Sequence, residues 1–155
     1  MEFEKISLPA LRVIGMEGST DDGEGFIQRL WEAANSRFGE IAHLVRMDAN
    51  GAPAGVWGAM TDFSRRFLPW EDNFSRGLYL AGAEVTVGAE PPQGWTAWDI
   101  PAFEYLRFRA DGGPDLFSRA LETLKANGYA LAGAAQELTI PGEGAEYLLF
   151  PIRRL

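Results

Sequence analysis

The chain has 155 residues, 46% hydrophobic and 23% charged, a composition typical of one globular domain with a sizeable core. Its 14 Lys and Arg against 22 Asp and Glu give a net charge of −8. This charge argues against nucleic acid as a partner and favours neutral or cationic ligands. The absence of cysteine excludes disulfides, zinc–thiolate sites and thiol nucleophiles, and the single His43 excludes a histidine-rich metal site. We therefore expect neither a metal nor a cofactor.

The chain starts with acidic residues and lacks the basic and then apolar profile of a signal peptide. No apolar run approaches the roughly 20 residues that a membrane helix needs. The sequence therefore predicts a cytoplasmic protein that binds neither membranes nor nucleic acids.

An internal repeat organises the sequence. Residues 8–14, LPALRVI, return as residues 100–106, IPAFEYL, and each copy enters a β-rich run after an apolar-Pro-Ala step. We interpret the chain as a single domain over residues 1–155, in which a first copy (8–87) and a second copy (100–153) are joined by a linker (88–99).

In each copy the β-rich run leads through a Gly/Asp-rich turn into an amphipathic helix, because apolar residues then recur at spacings of three and four. We interpret the Asp clusters as turn and capping residues, since they lack the ligand spacing of a calcium loop. Asp111 or Asp115 is expected to cap the second helix and Gly128 to end it. The helical apolar residues are Phe26, Ile27, Leu30, Trp31 and Ala34 in the first copy, and Phe117, Ala120, Leu121 and Leu124 in the second.

Two further strands are predicted after each helix, near residues 54–61 and 78–87 in the first copy and 134–140 and 145–153 in the second. Each copy is therefore strand-helix-strand-strand. Two such copies predict an α+β fold, an antiparallel sheet with helices on one side. A duplicated unit also leaves a groove between its halves, where ligands often bind.

Residues 62–76 form a long connection that carries four aromatic side chains among charged ones. Two interpretations stay open: the aromatic residues form a lid over a pocket, or they plug one end of the core. These residues are Phe63, Phe67, Trp70 and Phe74.

No nucleophile-elbow, phosphate-loop or dinucleotide motif is present, and the apolar surroundings of His43 favour a packed or helix-terminal residue over a base. Strand alternation instead groups Trp57 with small neighbours, and Tyr79 likewise with Ala81 and Ala83. Such faces are typical of a concave pocket wall, with an ordinary core or sheet surface as the alternative for the two rings.

Glu137 stands out because its predicted strand is otherwise apolar or small. In an aromatic cleft this carboxylate attracts a cation, or, with a pKa raised by desolvation, it acts as a general base. We expect it to be largely buried, although an edge strand would instead leave it in solvent. Glu84 is a second candidate, on the strand face opposite Tyr79.

At these residues the sequence resembles the GyrI-like small-molecule-binding domains, the family of the effector-binding domains of multidrug-responsive MerR- and AraC-type regulators. The resemblance extends from about Leu8 to Arg153. It rests on residues 8–10 (LPA), 56–60 (VWGAM), 77–85 (GLYLAGAEV), 100–102 (IPA) and 137–141 (ELTIP), followed by Glu146 and Tyr147.

The resemblance implies two copies related by a pseudo-twofold axis in one curved sheet, with a ligand cleft between them. It implies that Glu137 meets cationic, lipophilic drugs and that Tyr147 lines the pocket. Trp57 stands where relatives often carry tyrosine. Since no DNA-binding domain precedes the fold, we do not expect this chain alone to regulate transcription.

The leading hypothesis is binding of hydrophobic, planar, often cationic small molecules in an aromatic cleft. One alternative is a hydrolase that detoxifies reactive cyclopropane-type genotoxins, as some relatives do, with Glu137 as base or charge stabiliser. A second alternative is a protein inhibitor that acts through its acidic surface. Trp57, Tyr79, Tyr105 and Tyr147 are expected to border one shared cleft, so that the predicted ligand-binding residues are Glu137, Trp57, Tyr79, Tyr105, Tyr147, Met60, Trp70 and Phe74.

Overall fold

Eight antiparallel strands form one sheet that curls into a half-barrel, as seen in a computed structural model that describes residues 1–155. Three helices, α1 (Phe26–Ser36), the single turn α2 (Glu71–Phe74) and α3 (Leu116–Ala126), accompany the sheet. The strands are β1 (Glu4–Leu8), β2 (Leu11–Ser19), β3 (Val56–Thr61), β4 (Leu78–Val85), β5 (Thr96–Ile100), β6 (Phe103–Arg109), β7 (Gln136–Ile140) and β8 (Ala145–Arg154).

The spatial strand order is β1-β6-β8-β7-β3-β4-β2-β5. The two predicted copies, β2-α1-β3-β4 and β6-α3-β7-β8, therefore occupy the two halves of the sheet and meet where β3 pairs with β7. This order is symmetric about the β3–β7 junction, as a pseudo-twofold axis requires. The predicted α+β class and strand-helix-strand-strand copies are confirmed.

Strands β1 and β5 were not predicted, and β5 begins in the last third of the segment that the sequence suggested was a linker. Each of them precedes one copy but pairs with the other, β1 with β6 and β5 with β2. Only Pro9 and Ala10 separate β1 from β2, and only Pro101 and Ala102 separate β5 from β6. Each short connection joins an edge strand to the strand next to the opposite edge. The two edges must therefore approach each other, and the sheet curls.

The turn before α1 has the predicted capping role: the Ser19 hydroxyl accepts from the Asp21 N–H, and the Asp22 carboxylate accepts from the Ser19 N–H. The predicted cap of α3 is wrong. Asp115 occupies the N-cap position without a side-chain hydrogen bond, and Asp111 instead pairs with Arg119 at 2.9 Å. As predicted, Gly128, with a φ of +81°, follows the end of α3. None of the helices has the length and apolar character needed to cross a membrane.

The two faces of the sheet carry separate cores. On the helix face, one apolar cluster lies beneath α1 and another beneath α3. On the opposite face, inside the half-barrel, a third cluster is built around Trp57, Leu80 and Tyr105. Successive side chains of a strand point to opposite faces of the sheet, so the position of a residue in this alternation decides which core it joins.

Residues 62–76 divide between the two faces of the sheet. Phe63 and Phe67 pack against the half-barrel core, and the Phe67 ring meets Trp98 at 6.0 Å. Trp70 packs instead on the helix face, and Phe74 meets Phe117 of α3. The first half of the segment is therefore a plug and the second half lies beside the groove between the two copies.

Candidate ligand-binding cleft

A cleft lies between α1 and α3, above the junction of β3 with β7. The two helices cover the outer strands of their own copies and leave this junction open. The residues that face the opening from the sheet include the small Gly58 and Ala135 together with Glu137. The cleft has two adjoining compartments, of about 530 and 470 Å³, and Glu137 borders both of them.

The larger compartment, called the aromatic compartment below, has mainly apolar walls. The Phe74 ring contacts Phe117 at 5.3 Å, and Phe117 contacts Phe150 at 5.2 Å, so a continuous row of rings connects residues 62–76 to the sheet through α3. The Trp70 indole N–H donates to the Leu78 carbonyl at 3.0 Å, which fixes that ring. The apolar lining consists chiefly of Ile27, Met60, Trp70, Phe74, Phe117 and Leu121.

The smaller compartment, called the acidic compartment below, is more polar. Besides Glu137 it is bordered by a second carboxylate, that of Glu146. The ring of Trp31 lies on its α1 side. Asn35, Tyr79 and Thr139 supply further polar groups.

A hydrogen-bond chain connects α1, β4 and β7 at the point where the compartments meet. The Trp31 indole N–H donates to the Tyr79 hydroxyl oxygen at 3.0 Å. Tyr79 in turn donates its proton to Glu137 Oε1 at 2.6 Å. An indole can only donate and an ionised carboxylate can only accept, so with Glu137 ionised the chain runs from Trp31 to Glu137. Burial and the neighbouring Glu137 charge raise the pKa of Tyr79 and keep the phenol protonated.

Gly58 makes the contact between Tyr79 and Glu137 possible. It lies opposite Glu137 on β7 and opposite Ala81 on β4, so the Tyr79 side chain reaches across it. A β-carbon at this position would collide with both the Tyr79 hydroxyl and the Glu137 carboxylate. The absence of a side chain at residue 58 is therefore part of the site.

Glu137 is held in a partly dehydrated setting without a cationic partner. Desolvation by the surrounding protein raises the pKa of Glu137, the Tyr79 hydrogen bond lowers it, and the Glu146 charge raises it further. The net direction is upward, as the sequence suggested. The expected burial is wrong: Glu137 is an exposed residue, because no helix covers the β3–β7 junction. Its carboxylate makes no ion pair.

The structure brings five of the eight predicted ligand-binding residues to the cleft: Met60, Trp70, Tyr79, Phe74 and Glu137. It also brings Tyr147 to the border of the acidic compartment, although Tyr147 packs in the half-barrel core and its hydroxyl donates to Glu143 at 2.8 Å.

Trp57 and Tyr105 lie on the other face of the sheet, where each is 1% exposed. The prediction of one wall shared by four rings is therefore wrong for these two. The register explains it: Trp57 lies opposite Gly82, whereas Tyr79 lies opposite Met60, so the two rings alternate to opposite faces.

The two lesser candidates from the sequence have other roles. Glu84 forms an ion pair with Arg46 at 2.9 Å, away from the cleft. His43 is exposed at the end of a short 3₁₀ turn, and it takes the helix-terminal position that the sequence favoured.

Sequence reasoning missed the contribution of the helices. Ile27, Trp31 and Asn35 form a row at i, i+4 and i+8 along α1, and Phe117, Leu121 and Lys125 form the same row along α3. Most of these residues were assigned to the core stripe. The sequence did contain a sign of this role: each row begins with apolar residues and ends in a polar one. A helix face that is fully buried in the core would be apolar throughout.

Comparison with known proteins agrees with this geometry. The family model of the GyrI-like small molecule binding domain matches residues 1–140, so the chain belongs to that family. A search of curated proteins finds no match.

Solved structures share the fold at low sequence identity. The structure of SAV2435 bound to tetraphenylphosphonium is 16% identical with a TM-score of 0.64, and the match covers 99% of this chain and 94% of that one. EcmrR, in a complex with DNA, is 14% identical with a TM-score of 0.66, and the match covers 99% of this chain and 58% of that one. An integron cassette protein of Vibrio cholerae is 14% identical with a TM-score of 0.55, and the match covers 98% of this chain and 95% of that one.

Proposed function

We propose that this member of the GyrI-like family binds small molecules that combine aromatic rings with a positive charge. The rings occupy the aromatic compartment and the positive centre lies at Glu137. The observation that carries the proposal is a carboxylate without a cationic partner, oriented by Tyr79 at the floor of a cleft whose wall is built from Trp70, Phe74 and Phe117.

The aromatic compartment supplies most of the binding free energy. Burial of apolar surface contributes roughly 25 cal/mol per Å², and ring faces add about 0.5–2 kcal/mol for each cation that they contact. Trp70 is held by its hydrogen bond to Leu78 and Phe117 by its contact with Phe150, so these rings lose little conformational freedom when a ligand enters.

Glu137 supplies the selectivity for charge. In the empty protein its raised pKa reflects the cost of ionising a carboxylate that the cleft walls partly desolvate. A cation offsets that cost, so the ligand and the ionised carboxylate stabilise each other. The Tyr79 hydroxyl, held by the Trp31 indole N–H, donates to Glu137 and orients its carboxylate.

Two further observations support a cationic ligand. The net charge of −8 attracts cations at long range. SAV2435, whose fold this chain shares, binds tetraphenylphosphonium, an aromatic cation of the proposed class.

The test uses two ions of nearly equal shape and opposite charge, tetraphenylphosphonium and tetraphenylborate, titrated by calorimetry. We expect the wild type to bind the cation much more tightly than the anion. Glu137→Gln preserves the shape of the side chain and removes its charge. It should lower the affinity for the cation by roughly tenfold, the equivalent of about 1.4 kcal/mol.

Glu122→Gln on the exposed side of α3 is the matched control, since it removes the same charge away from the cleft. It should leave both affinities unchanged. The proposal is overturned if the wild type binds both ions equally, or if Glu137→Gln and the wild type have the same affinity for the cation.

A further inference from the structure

The cleft contains a second carboxylate that the proposed function does not use. Glu146 lies on β8 opposite Thr139, and Glu137 lies on β7 opposite Leu148. Glu137 and Glu146 are therefore diagonal neighbours on the same face of an antiparallel pair, a relation that places Cα atoms roughly 7–8 Å apart. Both border the acidic compartment.

Positive charge is distributed unevenly in the cleft. No Lys or Arg borders the acidic compartment, and Glu146 makes no ion pair. Lys125 borders the aromatic compartment instead. The acidic compartment thus has two carboxylates and no cation, whereas the aromatic compartment has one of each.

Other groups around Glu146 are suited to an ammonium ion. The side chains of Asn35 and Thr139 border the same compartment and make no hydrogen bond within the protein, so their oxygens are available as acceptors. The Trp31 ring adds a π face within the compartment. These acceptors surround a space of about 470 Å³ that adjoins the position of the first positive charge.

We propose that the acidic compartment binds a second positive charge of the same ligand, so that the preferred ligands are dications with an aromatic ring system and an amine-bearing arm. This inference rests on the proposed function, because it places the ring system and first charge at Glu137. Glu146 is then a residue that determines specificity between dications and monocations. Lys125 fixes the orientation, since it repels the charged arm from the far end of the aromatic compartment.

Ethidium and propidium provide a matched test, because they share one phenanthridinium ring system and propidium carries an additional quaternary ammonium on a propyl arm. Their affinities are measured by fluorescence for the wild type, Glu146→Gln, Glu137→Gln and the control Glu122→Gln. We expect the wild type to prefer propidium by roughly fivefold, the upper range for a partly exposed ion pair.

Glu146→Gln should abolish that preference, because it lowers the affinity for propidium and leaves the affinity for ethidium unchanged. Glu137→Gln should lower the affinity for both dyes, and Glu122→Gln should change neither affinity. The propidium preference of the wild type should also decrease as salt screens the second charge. Glu146 is exposed, so its substitution is not expected to disturb folding, and circular dichroism checks this.

The outcomes separate the two proposals. Equal affinity of the wild type for the two dyes, or an unchanged propidium preference in Glu146→Gln, overturns the second-charge site and leaves the role of Glu137 intact. Equal weakening of both dyes by Glu146→Gln also overturns it. If the wild type binds neither dye, or if Glu137→Gln changes neither affinity, the proposed function itself fails.

Discussion

The two faces of the sheet are built from the same strands, yet the cleft lies on only one of them. Inside the half-barrel, Trp57, Leu80 and Tyr105 are each no more than 1% exposed, and the plug of residues 62–68 completes the packing. On the helix face, α1 and α3 cover the outer strands and leave the β3–β7 junction open. Both faces carry aromatic residues, so aromatic content does not distinguish them. They differ in whether other residues cover the central strands.

The polar groups of the two faces also differ. The Trp57 indole N–H is buried in the half-barrel core without a hydrogen-bond partner, so the ring contributes by packing alone. The Tyr79 hydroxyl on the helix face has a donor on one side and an acceptor on the other. Ordered polar groups beside an open cavity are typical of a binding site, and an unpartnered group in a closed core is not.

The largest expected effect lies on the closed face. Trp57→Ala should lower the free energy of unfolding by about 3–5 kcal/mol, because it leaves a cavity in the half-barrel core. Chemical denaturation measures the loss. Trp57→Phe keeps a ring and removes the unpartnered N–H, and should bind tetraphenylphosphonium as the wild type does. A marked loss of affinity in Trp57→Phe would mean that Trp57 contributes to ligand binding, and would contradict the assignment of binding to the helix face alone.

The next effect concerns Gly58 on the open face. Gly58→Ala should reduce tetraphenylphosphonium affinity by roughly tenfold or more, because the new methyl group separates the Tyr79 hydroxyl from Glu137. Gly39→Ala makes the same chemical change where no atom lies within 4 Å of the new carbon, and should leave binding unchanged. Calorimetry that finds equal affinities for the two variants would show that the Tyr79–Glu137 contact is dispensable.

A smaller effect is expected from the aromatic wall. Phe117→Ala removes the ring that connects Phe74 to Phe150, and should weaken binding by about 1 kcal/mol, roughly fivefold. Phe3→Ala, which also removes a ring packed near the sheet but away from the cleft, should lower stability without changing affinity. The reverse pattern, with Phe3 affecting binding and Phe117 not, would contradict the position assigned to the rings of the ligand.

The fold was largely accessible from the sequence, because the repeat of residues 8–14 and 100–106 and the two helical stripes are local patterns. The edge strands were missed since their partners are distant in sequence: β5 pairs with β2, and β1 with β6. Pro91 and Pro92 also favoured a linker in the segment that ends in β5. The curl of the sheet follows from these exchanged pairings, which local patterns do not encode.

The site was only partly accessible. Glu137 was found because a lone carboxylate on an apolar strand is conspicuous. Alternation states which residues of one strand share a face, but not how two strands align, and a shift by one residue exchanges their faces. Trp57 was assigned to the wrong face for this reason. Glu146 was not selected as a site residue, since its position opposite Thr139 depends on the β7–β8 register.

The central claim is that an ionised Glu137 holds the positive charge of the ligand, and the pH dependence of tetraphenylphosphonium affinity tests it most directly. Because the pKa of Glu137 is raised in the empty cleft, affinity should increase as the pH rises through that pKa and level off above it. Below the pKa the protonated carboxyl is neutral, as in Glu137→Gln, so affinity should fall by roughly tenfold in total. Tyr79, the other member of the hydrogen-bond pair, stays protonated over this range, because burial and the neighbouring carboxylate raise its pKa.

Glu137→Gln separates the contribution of Glu137 to the pH dependence from that of every other group in the protein. The account predicts a clear rise with pH in the wild type that is largely lost in Glu137→Gln. A wild-type affinity independent of pH, or the same pH profile in both proteins, would contradict it.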